Sequence, residues 1–222
     1  MKTTPGQVAK LTAQQRELAE RVDSTDHLAW PPQRIAAVDA AFPSGGRITC
    51  AAAVLYRFPQ LERLDSAVAE QPTRLPYIPG LLSFRELPAI LAALGKLTET
   101  PDVVLCDGQG IAHPRRFGIA CHLGIETGIP TVGVGKSRLC GRFREPDTAK
   151  GSMEALLDGD EQIGMVVRTR SNVKPLFVSI GHRVTLTTAV RLTLACVSRY
   201  RLPEPIRAAD QLAGQPSARC SR

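Results

Sequence analysis

The sequence predicts an α/β fold in which an antiparallel three-stranded meander is continued by parallel strands into one mixed sheet flanked by helices. Three observations carry this prediction. Three strand-like segments, the first two strongly apolar, follow one another with only tight turns between them, which makes antiparallel pairing the economical arrangement. Strand-like and helix-like segments then alternate, as parallel strands joined by crossover helices require. Finally, 43% of the 222 residues are hydrophobic, enough for one substantial core.

The elements follow in order. Leu11, Leu18 and Val22 recur near helical spacing in a polar segment, predicting an N-terminal helix over about 5–24, ended before Trp30-Pro31-Pro32. RIAAVDAAF (34–42), RITCAAAVLYRF (47–58) and LERLDSAVAEQ (61–71) form the meander, joined by PSGG and by a turn at Pro59-Gln60. LPAILAALGKL is the next helix, DVVLCDG (102–108) a buried strand, RRFGIACHLGIETG (115–128) a helix and IPTVGVGK (129–136) a short buried strand. Residues 137–160 are polar and loop-rich; EQIGMVVRTR and KPLFVSIGH read as two further strands, and LTTAVRLTLACVSRY as a helix. By analogy, a meander followed by α, β, α, β and a terminal helix is the order of ribonuclease H-like folds. A single domain over 1–222 is expected, with its core over about 33–212.

Charge is unevenly distributed. Residues 101–222 hold 17 Lys/Arg against 11 Asp/Glu, whereas residues 1–100 are nearly balanced, and the whole chain carries +7. A basic half suits a polyanionic partner or simple solubility. The six cysteines (Cys50, Cys106, Cys121, Cys140, Cys196, Cys220) show no CxxC pair and no zinc spacing, which reads as a reduced, cytoplasmic chain. The N-terminus lacks the apolar core of a signal peptide, and no apolar run is long enough to span a bilayer, so no membrane association is expected.

Two aspartates each close an apolar strand. Ile35, Ala37 and Asp39 share one strand face, as do Val103, Leu105 and Asp107. If the strands are neighbours, both carboxylates stand at one sheet edge, close enough to share a divalent cation; the alternative is that each starts a turn, Asp107 preceding Gly108. Glu86 has two readings. In Ser83-Phe84-Arg85-Glu86 it completes a capping box, yet Pro88 sits better at the first helical position, which would leave Glu86 just ahead of the helix and facing the aspartates.

Lys136 ends its strand at the same edge, a candidate phosphate contact. GQGIAHPRRFG (108–118) is either a ligand-approaching glycine loop or an ordinary turn. In LPYIPG, Pro76 and Pro79 restrict the backbone on both sides of Tyr77, making it a rigid aromatic prong or a buried connector. His27, His113, His122 and His182 share no metal-ligand spacing, and no GxSxG elbow, Walker loop or Rossmann glycine fingerprint is present, which removes several enzyme classes.

PYIPGLLSFRE, VVLCDGQGIAHPRRFGIA, GVGKSRLCG, PLFVSIGHRV and RLPEPIRAAD, in that order, closely resemble the endonuclease V family over nearly the whole chain. The resemblance implies a ribonuclease H-like, magnesium-dependent DNA repair nuclease, with manganese able to substitute. It would recognise deoxyinosine and cut the second phosphodiester 3′ to the lesion, leaving 3′-hydroxyl and 5′-phosphate, as a monomer.

By motif match, Asp39, Asp107 and Glu86 would bind the metal, Lys136 would be the active-site lysine, and Asp210 would take an auxiliary catalytic role. Pro76, Tyr77, Ile78 and Pro79 would form a wedge entering the duplex, and Gly80, Leu82 and Gly110 would line the pocket for the flipped base. Gln109 departs from the histidine or asparagine that many members carry between the glycines. The alternatives are an inosine-specific endoribonuclease acting on RNA and a non-catalytic nucleic-acid-binding protein.

Overall fold

The computed structural model describes residues 4–215; Cys220 and the last residues of the expected domain lie outside them. Helix α1 spans Pro5–Ala19, and the meander is β1 (Arg34–Ala41), β2 (Ile48–Arg57) and β3 (Glu62–Pro72). Between β1 and β2 lies α2, a single turn over Pro43–Gly46 whose Ser44 and Gly45 are left-handed. Then come α3 (Leu82–Leu94), β4 (Val103–Asp107), α4 (Ile119–Thr127), β5 (Thr131–Gly135), β6 (Met153–Asp158), β7 (Glu161–Val167), β8 (Leu176–His182), α5 (Leu186–Ala195) and α6 (Glu204–Ala213).

The strands form one eight-stranded sheet in the order β3-β2-β1-β4-β5-β8-β7-β6. β1 pairs antiparallel with β2 and parallel with β4, and β4 pairs parallel with β5. A second antiparallel meander, β8-β7-β6, completes it. This is the mixed sheet expected from the order of elements, extended by one strand. β6 falls inside the stretch expected to be loop, because only Leu156 of its six residues is buried. Its signal was the two-residue connection to β7, where Asp158 pairs with Glu161 across a left-handed Gly159.

Alternation along the strands divides the core. Ile35, Ala37, Val103 and Leu105 face α5 and α6, packing with Val190, Leu192, Ile206 and Ala209. Ala36, Val38, Val104 and Cys106 face the other way, onto Leu87, Ile90 and Ala93 of α3 and Ile119 and Leu123 of α4. Helix α1 packs on α4 through Leu18 against Phe117 and Cys121.

Helix α3 begins at Leu82, six residues earlier than Pro88 at its first position would give. Its N-cap is Leu81, without a side-chain cap, and Pro88 lies inside it. Ser83 does not cap: its hydroxyl pairs with His122 Nδ1 at 3.1 Å, in the core. Pro88 is solvent-exposed and removes one helical hydrogen bond, a cost offset by burial of Leu87, Ala89, Ile90, Ala93 and Leu94 on the opposite face. Glu86 is therefore a helical residue and does not precede the helix.

Candidate active site

The shared strand face decides where the acids meet. β1 and β4 are parallel neighbours in a register that pairs Val38 with Cys106, so Asp39 and Asp107, one residue further, emerge together at the carboxyl end of the sheet. Both continue the face covered by α6, where Ile206 and Ala209 are buried and Asp210 follows directly. Asp39, Asp107 and Asp210 consequently bring carboxylate oxygens within 4.8 Å of one another. Glu86 is outside this triad, because α3 lies against the opposite face of the sheet and reaches the site from behind the strand ends.

Lys136, just beyond β5, stands among the acids. Its Nζ is 2.6 Å from Asp107 Oδ2 and 2.8 Å from Asp210 Oδ1. The contact to Asp210 is an aligned hydrogen bond; the buried Asp107 Oδ2 has the lysine at ion-pair distance but no aligned donor. Burial, and then the charge of Asp107, push the Asp39 carboxyl up to about 7. Burial, with Asp39 and Asp107 behind it, pushes Glu86 up to about 8. Asp107 is also raised by burial, against the pull of Lys136. For Lys136, burial opposes the ammonium, but its contacts with Asp107 and Asp210 outweigh that and raise it.

Three aspartates thus share one ammonium, with Glu86 close enough to feel two of them, in a place where ionising all four carboxyls is unfavourable. A buried carboxylate oxygen without an aligned donor, inside a triad of hard oxygen ligands, fits a divalent cation.

Beside the acids opens a cleft lined by Tyr77, Gly80, Leu82, Glu86, Asp107, Phe117 and Leu139, among others. Tyr77 is 65% exposed, which excludes the buried-connector reading. Its loop is short and turned back, with Leu81 N–H donating to Ile78 O at 3.0 Å. Gly80 is left-handed, with φ of 77°, a conformation glycine adopts without the Cβ penalty.

Gly110 is elsewhere. It is buried, its N–H donates to Ser179 Oγ at 2.9 Å, and a Cβ there would meet Ile180 O at 1.9 Å. Of the glycines in this loop, Gly108 and Gly118 line the cleft in its stead.

The endonuclease V family model matches residues 16–211. The chain belongs to the endonuclease V family. An endonuclease V of Nostoc punctiforme is 47% identical over 211 residues, covering 95% of this chain and 96% of its own. The solved endonuclease V of Streptomyces avermitilis superposes with a TM-score of 0.88 at 43% identity, over 96% of this chain and 92% of that one. A Ciona intestinalis endonuclease V, solved in complex with a 24mer DNA containing an inosine followed by a ribo-adenosine, gives 0.83 at 26% identity, over 94% and 96%. The chain is therefore a nuclease, and its fold is the ribonuclease H-like one.

Several residues of this endonuclease V site escaped the sequence reading. His113, Phe117, Ile119, Ser137, Arg138 and Leu139 line the cleft. Burial, and then Arg115, hold His113 down to about 4, so it is neutral at pH 7. Arg201 donates to Lys136 O at 2.6 Å, and Gln109 Nε2 donates to Ser137 O at 3.0 Å; together they hold the chain on either side of the lysine's exit from β5. Gln109 thereby has a backbone-holding contact where the motif comparison had none to offer. For His113 and Phe117 the sequence signal was the glycine-rich run 108–118, where an ordinary turn was the favoured reading; Ser137, Arg138 and Leu139 lie in GVGKSRLCG, which carried the family resemblance without assigning them a role.

Proposed function

We propose that this endonuclease V is a magnesium-dependent DNA repair nuclease that recognises deoxyinosine and hydrolyses the second phosphodiester bond 3′ to it, leaving 3′-hydroxyl and 5′-phosphate. The observation that carries the reading is adjacency: one cleft joins an exposed aromatic prong, Tyr77, to Glu86 and Asp107 of the acidic cluster. The inosine-containing DNA bound by the Ciona relative supports the choice of lesion.

In this reading Tyr77, stiffened by Pro76 and Pro79, enters the duplex, where each unstacked step costs about a few kcal/mol. The cleft behind it, with Gly80 and Leu82 on its wall, receives the displaced base. Asp39 and Asp107 would hold the metal, with Glu86 and Asp210 available to complete its shell. Bound there, a divalent ion would supply Lewis-acid polarisation of the scissile phosphate and a lowered pKa for water. Lys136 places its ammonium against the charge that develops on the phosphate. Asp210 keeps that ammonium aimed at the acids through its 2.8 Å hydrogen bond.

Inosine-containing RNA is a second reading, favoured by the ribo-adenosine that follows the inosine in the Ciona complex. The single continuous sheet supports one domain, and we expect a monomeric, cytoplasmic protein; among the described residues no helix is long and apolar enough to cross a membrane.

The test is a nicking assay on duplexes with a single deoxyinosine, with the cut mapped at nucleotide resolution. Magnesium, manganese and chelator form its arms, and inosine-RNA competes. The expected result is a metal-dependent nick at the second 3′ bond, abolished by Asp107→Ala while lesion binding persists. Undiminished cleavage by Asp107→Ala would remove the assignment.

A further inference from the structure

Gln15 has no solvent exposure, although it lies on α1, a helix in which it and Leu18 are the buried residues. A buried amide is unfavourable unless its polar atoms are paired, and this one pairs them with three residues in two segments far away in sequence. Its Nε2 donates to Gly80 O at 3.0 Å and to Phe117 O at 2.8 Å, and its Oε1 accepts from Arg115 Nε. Arg115 Nη2 in turn donates to Gly80 O at 2.6 Å. Docking α1 needs none of this, since Leu18, one turn along, already packs on Phe117 and Cys121. Both carbonyls that Gln15 holds belong to cleft-lining residues, and Gly80 directly follows Pro79 of the prong.

We propose that Gln15 is a positioning residue for lesion recognition. Its amide fixes the Gly80 peptide against Phe117, and so fixes the Tyr77 prong relative to the base pocket. The left-handed Gly80 has no side chain to restrict it, so two donors on its carbonyl supply the constraint the residue itself lacks. This inference rests on the deoxyinosine reading and deepens it.

The test compares wild type, Gln15→Met and Gln15→Glu in the full chain. Gln15→Met keeps the volume and loses all three contacts. Gln15→Glu keeps a partner for Arg115 and loses both N–H donors. Binding to a deoxyinosine duplex and to the same undamaged duplex is measured with calcium in place of magnesium, alongside thermal unfolding and single-turnover nicking.

Each variant should lose about tenfold in preference for the deoxyinosine duplex, the size of one hydrogen bond to a buried acceptor. Affinity for undamaged DNA, set by phosphate contacts, should hold. Nicking at saturating enzyme should fall much less than the apparent affinity. If Gln15→Met does not fold, Gln15→Glu carries the test. Preference within twofold of wild type in a folded variant, or equal losses on both duplexes, would overturn the proposal. A wild-type protein with no preference for deoxyinosine removes the lesion reading itself, and this inference with it.

Discussion

Asp39→Asn should stabilise the metal-free protein at alkaline pH while destroying its activity. The folded Asp39 carboxyl keeps its proton up to about pH 7, against 3.8 for an ordinary aspartate. The stability this contributes is complete below 3.8 and is lost as pH rises through 7, because the unfolded chain releases the proton first. At about 1.4 kcal/mol per tenfold, ionising Asp39 in the folded protein costs about 4 kcal/mol. Asp39 and Asp107 repel each other as a pair with Lys136 beside them, so roughly half of that, about 2 kcal/mol, is assigned to this one substitution.

For a chain of this length, that corresponds to a Tm gain of about 4–8 °C. The assay is thermal unfolding in chelator from pH 4 to pH 8. The gap between Asp39→Asn and wild type should be small at pH 4 and reach its full value above pH 7. Excess magnesium should close it by stabilising only the wild type. A gap independent of pH, or a variant less stable than wild type at pH 8 in chelator, would refute the reasoning.

Three further outcomes are expected. Lys136→Met should lower single-turnover nicking by about a hundredfold or more, since it removes the positive charge from the acids and the phosphate; activity within a few-fold of wild type would dismiss the lysine. Tyr77→Ala should leave stability within about 0.5 kcal/mol, because the ring is mostly exposed, and should weaken selective binding of the deoxyinosine duplex over undamaged DNA. Gly110→Ala should cost about 3 kcal/mol in chemical denaturation, because its methyl would overlap Ile180 O. A stable Gly110→Ala protein with altered lesion preference would instead restore Gly110 to the pocket.

Local chemistry made much of this molecule legible. The meander at 34–72 was readable because its tight connections leave antiparallel pairing as the simple solution. The parallel pairing of β1 with β4, and of β4 with β5, followed from the alternating helices. Asp39 and Asp107 were placed on a common face by the two-residue period of a strand, which needs no tertiary information. Helix α3 was misread at its start, because the local rules for serine caps and proline positions lost to burial of the apolar face around Leu87 and Ile90. Gly110 was assigned to the cleft by motif alone, whereas its packing against Ile180 places it in the core.

By itself the sequence determined which side chains would stand at the carboxyl ends of the strands, since periodicity and turn chemistry act over a few residues. Tertiary structure alone decided which helix covers which face of the sheet. That choice set Asp210, from α6, within 4.8 Å of Asp39 and Asp107, and left Glu86 to approach from the α3 side. It also buried Gln15 of α1 behind Gly80, 65 residues away. Such pairings depend on how apolar faces stack and where buried polar groups find partners, and no short window of sequence encodes that.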